Sequence, residues 1–289
     1  MSEYLTDQQR SAAQEAVRSA IAFLEQSDYP MGSAWLRHRW QGGSATDVLD
    51  GLEPYQQPDG GFAGLEVDIK APVSNPFAIR LAMQVMLSLR EKPESPILER
   101  TAAWLQDNQN ANGDWHFVPE IREHPLAPWF AGWSFPSLNP ACSLAGLAHA
   151  LDLATPGMLE RVAALWEEHA SLDDADSGDF YPMLPLVEYV AHINVDSLDV
   201  WLDSLAKGIG RGIAANSFGD AEHALEHIAG GGPDLVARLD PKDLTKVVDN
   251  VLADQQPDGG WPTPYDPAWR PWTTANMLVL LSRLDEFTG

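Results

Sequence analysis

The sequence predicts an all-α fold of about five to six helical hairpins closed into a ring, and three observations lead there. The hexapeptide Q-Q-P-D-G-G occurs at 56–61 and again at 255–260, followed by Phe62 and Trp261 respectively. A looser copy places Gln109, Gly113 and Trp115 at the same offsets. Helical periodicity precedes every copy, and no alternation of strand type competes with it. Gln56 and Gln109 lie 53 residues apart and Gln56 and Gln255 lie 199 apart, so a period of about 50 residues runs through the chain. S-G-D-F-Y at 177–181 and N-S-F-G-D at 216–220 are the candidates for two degenerate copies.

In chain order, a helix at about 7–26 packs on the ring, and A-T-D-V-L-D-G-L leads into the first turn. There Pro presets φ and Gly absorbs a positive φ, the chemistry of a tight turn. After it, Ser74-Asn75-Pro76 opens F-A-I-R-L-A-M-Q-V-M-L, with Asn as N-cap and Pro at the first helical position. I-L-E-R-T-A-A-W-L precedes Gln109, and Leu138-Asn139-Pro140 opens a second apolar helix by the same device. L-T-K-V-V-D-N-V-L-A precedes Gln255, and a third apolar helix, W-T-T-A-N-M-L-V-L-L, follows Pro271. A helix apolar on most faces must be covered on most faces. A single α/α toroid over 1–289, apolar helices inside and amphipathic ones outside, meets that demand.

At 289 residues and 45% hydrophobic, the chain has ample material for a core. Its net charge of −24 argues against nucleic acid and anionic membrane surfaces as partners. The lone Cys142 excludes an intrachain disulfide and fits a reducing compartment. No export signal and no run of ~18 apolar residues is visible, so a cytoplasmic protein without a transmembrane segment is expected. Nothing in the sequence fixes the oligomeric state.

The motif W-L-x3-Q-x3-G-x-W at 104–115 resembles the QW repeat of the terpenoid cyclase and protein prenyltransferase α/α-toroid superfamily. The copies at 56–62 and 255–261 match its Gln, Gly and aromatic core but lack the aromatic–aliphatic pair before it. The resemblance covers roughly residues 45 to 285. It implies that the QW elements tie outer helices together and that a small hydrophobic ligand, terpenoid or prenyl, is handled in an aromatic-lined cavity. The superfamily's catalytic signatures are absent. There is no D-x-D-D; Asp173-Asp174-Ala175-Asp176 has its acids in another order, and Ser177 replaces the last acid of D-D-x-x-D. Trp272 stands where the zinc prenyltransferases carry a histidine before Thr273, and Cys142 sits in an apolar helical run.

The loops after the three turns are expected to gather at one end of the ring and to carry the site. The first offers Glu66 and Asp68 as candidate acids beside Lys70; two acids on an extended segment face one way, so one raises the other's pKa. Pairing of Asp68 with Lys70, or capping, is the structural alternative. The second, 25 residues long, holds Trp115, Phe117, His124, Trp129, Phe130, Trp133 and Phe135, either a wall for a hydrophobic or cationic ligand or a lid packed on itself. The third offers Tyr265, Asp266, Trp269, Arg270 and Trp272; Arg270 binds an anionic group or pairs with Asp266.

No cofactor is expected. His223 and His227, four apart on a helix, form a weak metal pair with no third ligand. His149 and His192 read as core histidines, G-I-G-R-G at 208–212 follows a helix and is no phosphate loop, and Gly230 to Gly232 read as a helix stop. The leading expectation is acid-initiated isomerisation or cyclisation by a terpene cyclase-like protein, with Asp68 or Glu66 as proton donor and Asp266 as a further acid. A carbohydrate-active α/α-barrel glycosidase or lyase, and a non-catalytic binding toroid, are the alternatives.

Overall fold

The computed structural model describes residues 4–27, 29–91 and 94–287. Among them are fifteen α-helices and no strand, so the all-α expectation is met. In chain order these are α1 (Asp7–Gln26), α2 (Pro30–Gln41), α3 (Ala45–Leu52), α4 (Pro76–Leu87), α5 (Pro96–Asn108), α6 (Pro128–Ala131), α7 (Leu138–Ala150) and α8 (Pro156–His169). They continue as α9 (Leu172–Ala175), α10 (Phe180–Val190), α11 (Leu198–Ala215), α12 (Ala221–Gly230), α13 (Gly232–Val236), α14 (Pro241–Ala253) and α15 (Arg270–Glu286). The chain packs as two compact units. One runs from Leu52 to Ser171; the other combines the residues up to Gly51 with those from Leu172 onward.

Each unit sorts its helices into two kinds. In the 52–171 unit, ten of the twelve residues of α4 are buried, whereas four of the fourteen of α8 are. That contrast marks α4 and α7 as core helices, packed on each other, and α5 and α8 as one-faced helices. In the other unit α10, α12 and α15 are the core helices, while α1, α11 and α14 present one apolar face. Asn75 caps α4 as the sequence predicts, its Oδ1 accepting from Ala78 N–H at 2.9 Å. The matching expectation for Asn139 is met only in the backbone: Asn139 is extended (φ −98°, ψ 114°) at a kink just before Pro140, but its side-chain oxygen caps nothing.

The repeated turn is a three-way joint. Gln56 Nε2 donates to the carbonyls of Gly60 in its own turn and Ile97 in α5, both at 3.0 Å, while Oε1 accepts from Arg100 Nε at 2.6 Å. Gln109 does the same with Gly113, Met158 of α8 and Arg161. Gln255 bonds Gly259 and Ala16 of α1, both at 2.9 Å, so the last copy reaches back to the first helix; Ser19 stands where the other copies have arginine. The indole N–H of Trp115 reaches Leu105 O and that of Trp261 reaches Val251 O, each ten residues back. The turn aspartates also join elements. Asp59 accepts from Ser74 Oγ and Trp104 Nε1, and Asp258 is held by Arg270.

The degenerate copies differ in kind. Gly178 has a positive φ of 79° and lies against Arg211 and Gly212 of α11, a close approach of the QW type. Gly219 also has a positive φ, of 84°, but no glutamine follows α11 to tie it to α14. Two local readings are corrected. G-I-G-R-G lies inside α11 because Gly208 must let Ala175 O approach its Cα, and His149 is exposed at the end of α7.

Gly113 combines φ of 91° with the Arg161 carbonyl where a Cβ would sit, whereas Gly232 has φ of 76° and open space. Gly113→Ala is expected to cost about 3–5 kcal/mol and Gly232→Ala about 1–2 kcal/mol. Urea denaturation of the two variants checks the contrast.

Candidate active site

In the 52–171 unit the first post-turn loop is clamped by the second. Lys70 N–H donates to Pro125 O at 3.1 Å, Ala127 N–H to Asp68 O at 2.9 Å, and Ile69 bridges Leu126. The aromatic loop folds on itself and on Phe77. Phe130 and Trp133 meet the Phe77 ring edge-on at 4.7 and 5.0 Å, Phe117 lies at 5.7 Å, and Phe135 packs against Phe117. With Ile69 and Ile121 these residues form a satellite core, the lid alternative. Trp115 is fully buried as a repeat joint, His124 is half-buried, and Trp129 is exposed.

In the first loop Glu66 is 8% exposed, its Oε1 accepting from Asp68 N–H at 3.1 Å. Burial pushes its carboxyl up to about 8; the Asp68 charge adds to the rise, and Arg80 and Lys70 oppose it. The expected mutual effect of the two acids is therefore present but secondary to desolvation. Asp114 is a second proton-holding group, raised by burial to about 7. It has no exposed surface, and its oxygens accept from Trp115 and Ser137 N–H, both at 2.7 Å. It is sealed from any substrate and fastens the turn to the start of α7. Burial raises the adjacent Cys142 thiol, which suits a core residue.

The third loop belongs to the other unit. Arg270 does not pair with Asp266. It binds Asp258 through both terminal nitrogens, donates to Trp261 O, and lies 4.7 Å over the Phe23 ring. Arg270 holds the Asp258 carboxyl below its ordinary range. Asp266 caps the short 3-10 turn at Pro267–Trp269 through Ala268 N–H. Trp272 is buried against Trp35 at 5.5 Å, and Trp269 meets it edge-on. Tyr265 lies over His223, its hydroxyl 3.4 Å from Nδ1.

The strongest constellation in this unit is one the sequence reading missed. Gly219 turns the chain, Asp220 caps α12 by accepting from His223 N–H at 2.8 Å, and Glu222 occupies the first turn. Asn276 of α15 donates to Glu222 Oε1 at 3.0 Å, and Thr273 bonds the same carboxyl. Glu222 is 7% exposed, and burial, then the Asp220 charge, raise it to about 7. The helix dipole favours a charged acid here by about 0.3–1 kcal/mol, less than the several-kcal/mol cost of burying the charge. Burial also raises Asp220, against the pull of His223. The sequence does carry a signal: two acids two apart at a capped helix start, D-A-E, with a glycine before them.

His223 and His227 both pack on the Phe180 ring, at 3.8 and 4.8 Å, which accounts for their four-residue spacing. Among the described residues no three His, Cys, Asp or Glu side chains group as a metal requires. In the acidic loop Asp176 pairs with Lys207 and Arg211. No helix among the described residues is long and apolar enough to cross a membrane.

A carboxyl whose folded pKa lies above its unfolded value binds more protons folded than unfolded, so stability falls as pH rises between the two. For Glu66 that window runs from 4.5 to about 8. Stability is expected to decline by a few kcal/mol from about pH 5 to about pH 9, and Glu66→Gln should flatten the decline. Urea midpoints across that range test this; an unchanged slope in the variant counts against the buried neutral acid.

No protein-family profile matches the sequence, and no curated protein is similar to it. Among solved structures, 98% of this chain aligns with 100% of a type II terpene cyclase from Scytonema, bound to its substrate geranylgeranyl dihydroxybenzoate, at TM-score 0.61 and 14% identity. The likeness at that identity concerns architecture: the chain has the helical fold of a type II terpene cyclase.

Proposed function

We propose that the protein takes a polyprenyl-type hydrophobic substrate and carries out acid-initiated cyclisation or isomerisation on it, with Glu222 as proton donor. The observation that carries this reading is a carboxyl raised to about 7, held by Asn276 and Thr273 on a core helix. The fold supports the substrate class, since the Scytonema enzyme binds a geranylgeranylated aromatic acid. In the first step the Glu222 O–H proton passes to an alkene carbon. A C–H bond forms, the π pair is consumed, and a carbocation arises at the neighbouring carbon while the carboxylate is left on Glu222. Loss of a proton from the rearranged cation then gives the product and balances the charge. Trp269, in the short turn before α15, and Trp272, in the first turn of α15 beside Thr273, are proposed to offer their faces to the cation.

With Asp114 sealed from substrate, Glu66 is the other raised acid to weigh. Its oxygen closes its own loop on Asp68, and at about 8 it is the weaker acid of the two. A glycosidase places two carboxyls on either side of the scissile bond. Asp220 and Glu222 come from one helical turn, which does not supply that arrangement.

The test is turnover of geranylgeranyl dihydroxybenzoate and simpler polyprenyl substrates in heavy water. The expected product carries one deuterium at the protonated carbon. Glu222→Gln should lower kcat by about 100-fold or more, and Glu66→Gln should change it by only about two- to threefold. If Glu66→Gln is the inactive variant, the donor lies in the first loop. If the wild type turns over none of these substrates, the enzymatic reading fails and a binding role replaces it.

A further inference from the structure

At three of the turns Gln56, Gln109 or Gln255 bridges to the next one-faced helix, and at the first two Arg100 or Arg161 clasps its carboxamide oxygen. Between α11 and α14 the chain reads N-S-F-G-D and supplies no glutamine. Lys246 lies five residues after Pro241, as Arg161 lies five after Pro156, and it lines the crevice beside α11. With no carboxamide to meet, its ammonium reaches Ile213 O at a long 3.4 Å. What remains is a cleft of about 600 Å³, within the range of small-molecule sites.

The cleft has charges of both signs. Lys246, Asp220 and Asp254 all line it, and Ile213, Val247 and Pro262 supply apolar wall. A simple anion meets two carboxylates and a net charge of −24, while a simple cation leaves the lysine without a counter-group. We infer that this cleft binds a small zwitterion, an α-amino acid with an apolar side chain, in the place of the missing glutamine. Its carboxylate meets the Lys246 ammonium, its ammonium meets Asp220 and Asp254, and its side chain lies on the apolar wall.

Binding there is read without turnover, by calorimetry and amide-resolved NMR of the full chain with leucine. Isoamylamine and isocaproate, each keeping one charged end, serve as controls. Leucine is expected to shift amides of the 212–221 and 246–254 segments saturably, with each control weaker by about tenfold or more. Lys246→Met, at an exposed position, should weaken leucine by about tenfold with the same urea midpoint. The proposal is overturned if leucine gives no saturable shift, if isoamylamine binds as well as leucine, or if Lys246→Met binds leucine unchanged.

Discussion

A turn glycine that must lie against a neighbouring helix backbone is the constraint on which the rest of each hairpin depends. At Gly60, Gly113 and Gly259 the partner carbonyls of Arg100, Arg161 and Ser19 occupy the space of a Cβ. That contact brings the turn within reach of one carboxamide, which bonds its own turn and the next helix together. Each such bond is worth about 1 kcal/mol net, which alone does not hold a helix. Its effect is geometric, because it fixes which helix follows which. Core helices as apolar as α4 then find cover on most faces, where hydrophobic burial supplies the larger energy.

The acids divide by the same logic. Asp59 and Asp258 in the turns are joints, bonded to hydroxyl, indole or guanidinium groups. Glu66, Asp114 and Glu222 have lost more water than their partners replace, and burial raises all three carboxyls toward neutrality. The proposed proton delivery draws on this second group. Asp114 has no exposed surface; the other two differ in attachment, Glu222 being fixed by side chains of a long helix and Glu66 by the backbone of its own loop.

Much of this was legible in the sequence. The glutamine spacing, the turn glycines and the Asn75 cap are local, and each is realised as its chemistry demands. The aromatic loop was legible as a choice between wall and lid, and the ring contacts around Phe77 show the lid. What stayed hidden depends on residues far apart in the chain. Nothing near Glu222 shows that Asn276, 54 residues later, will cover it. Nothing near Arg270 favours Asp258 over the closer Asp266, whose carboxylate is taken up in capping. Asn139 repeats the Asn75 motif and takes an extended backbone before its proline, as Asn75 does, yet its side-chain oxygen finds no hydrogen-bond partner.

The bond from Gln255 to Ala16 also bears on how the chain is made. Residues 52–171 form their unit from one continuous stretch, so it can fold as soon as that stretch leaves the ribosome. The other unit takes α1 and α2 from the beginning of the chain and α15 from its end. α1 and α2 pack on each other but gain the cover of α15 only after the residues between them have been made. During synthesis this unit depends on the longest loop closure in the molecule, and it is where a chaperone or a protease has the most time to act.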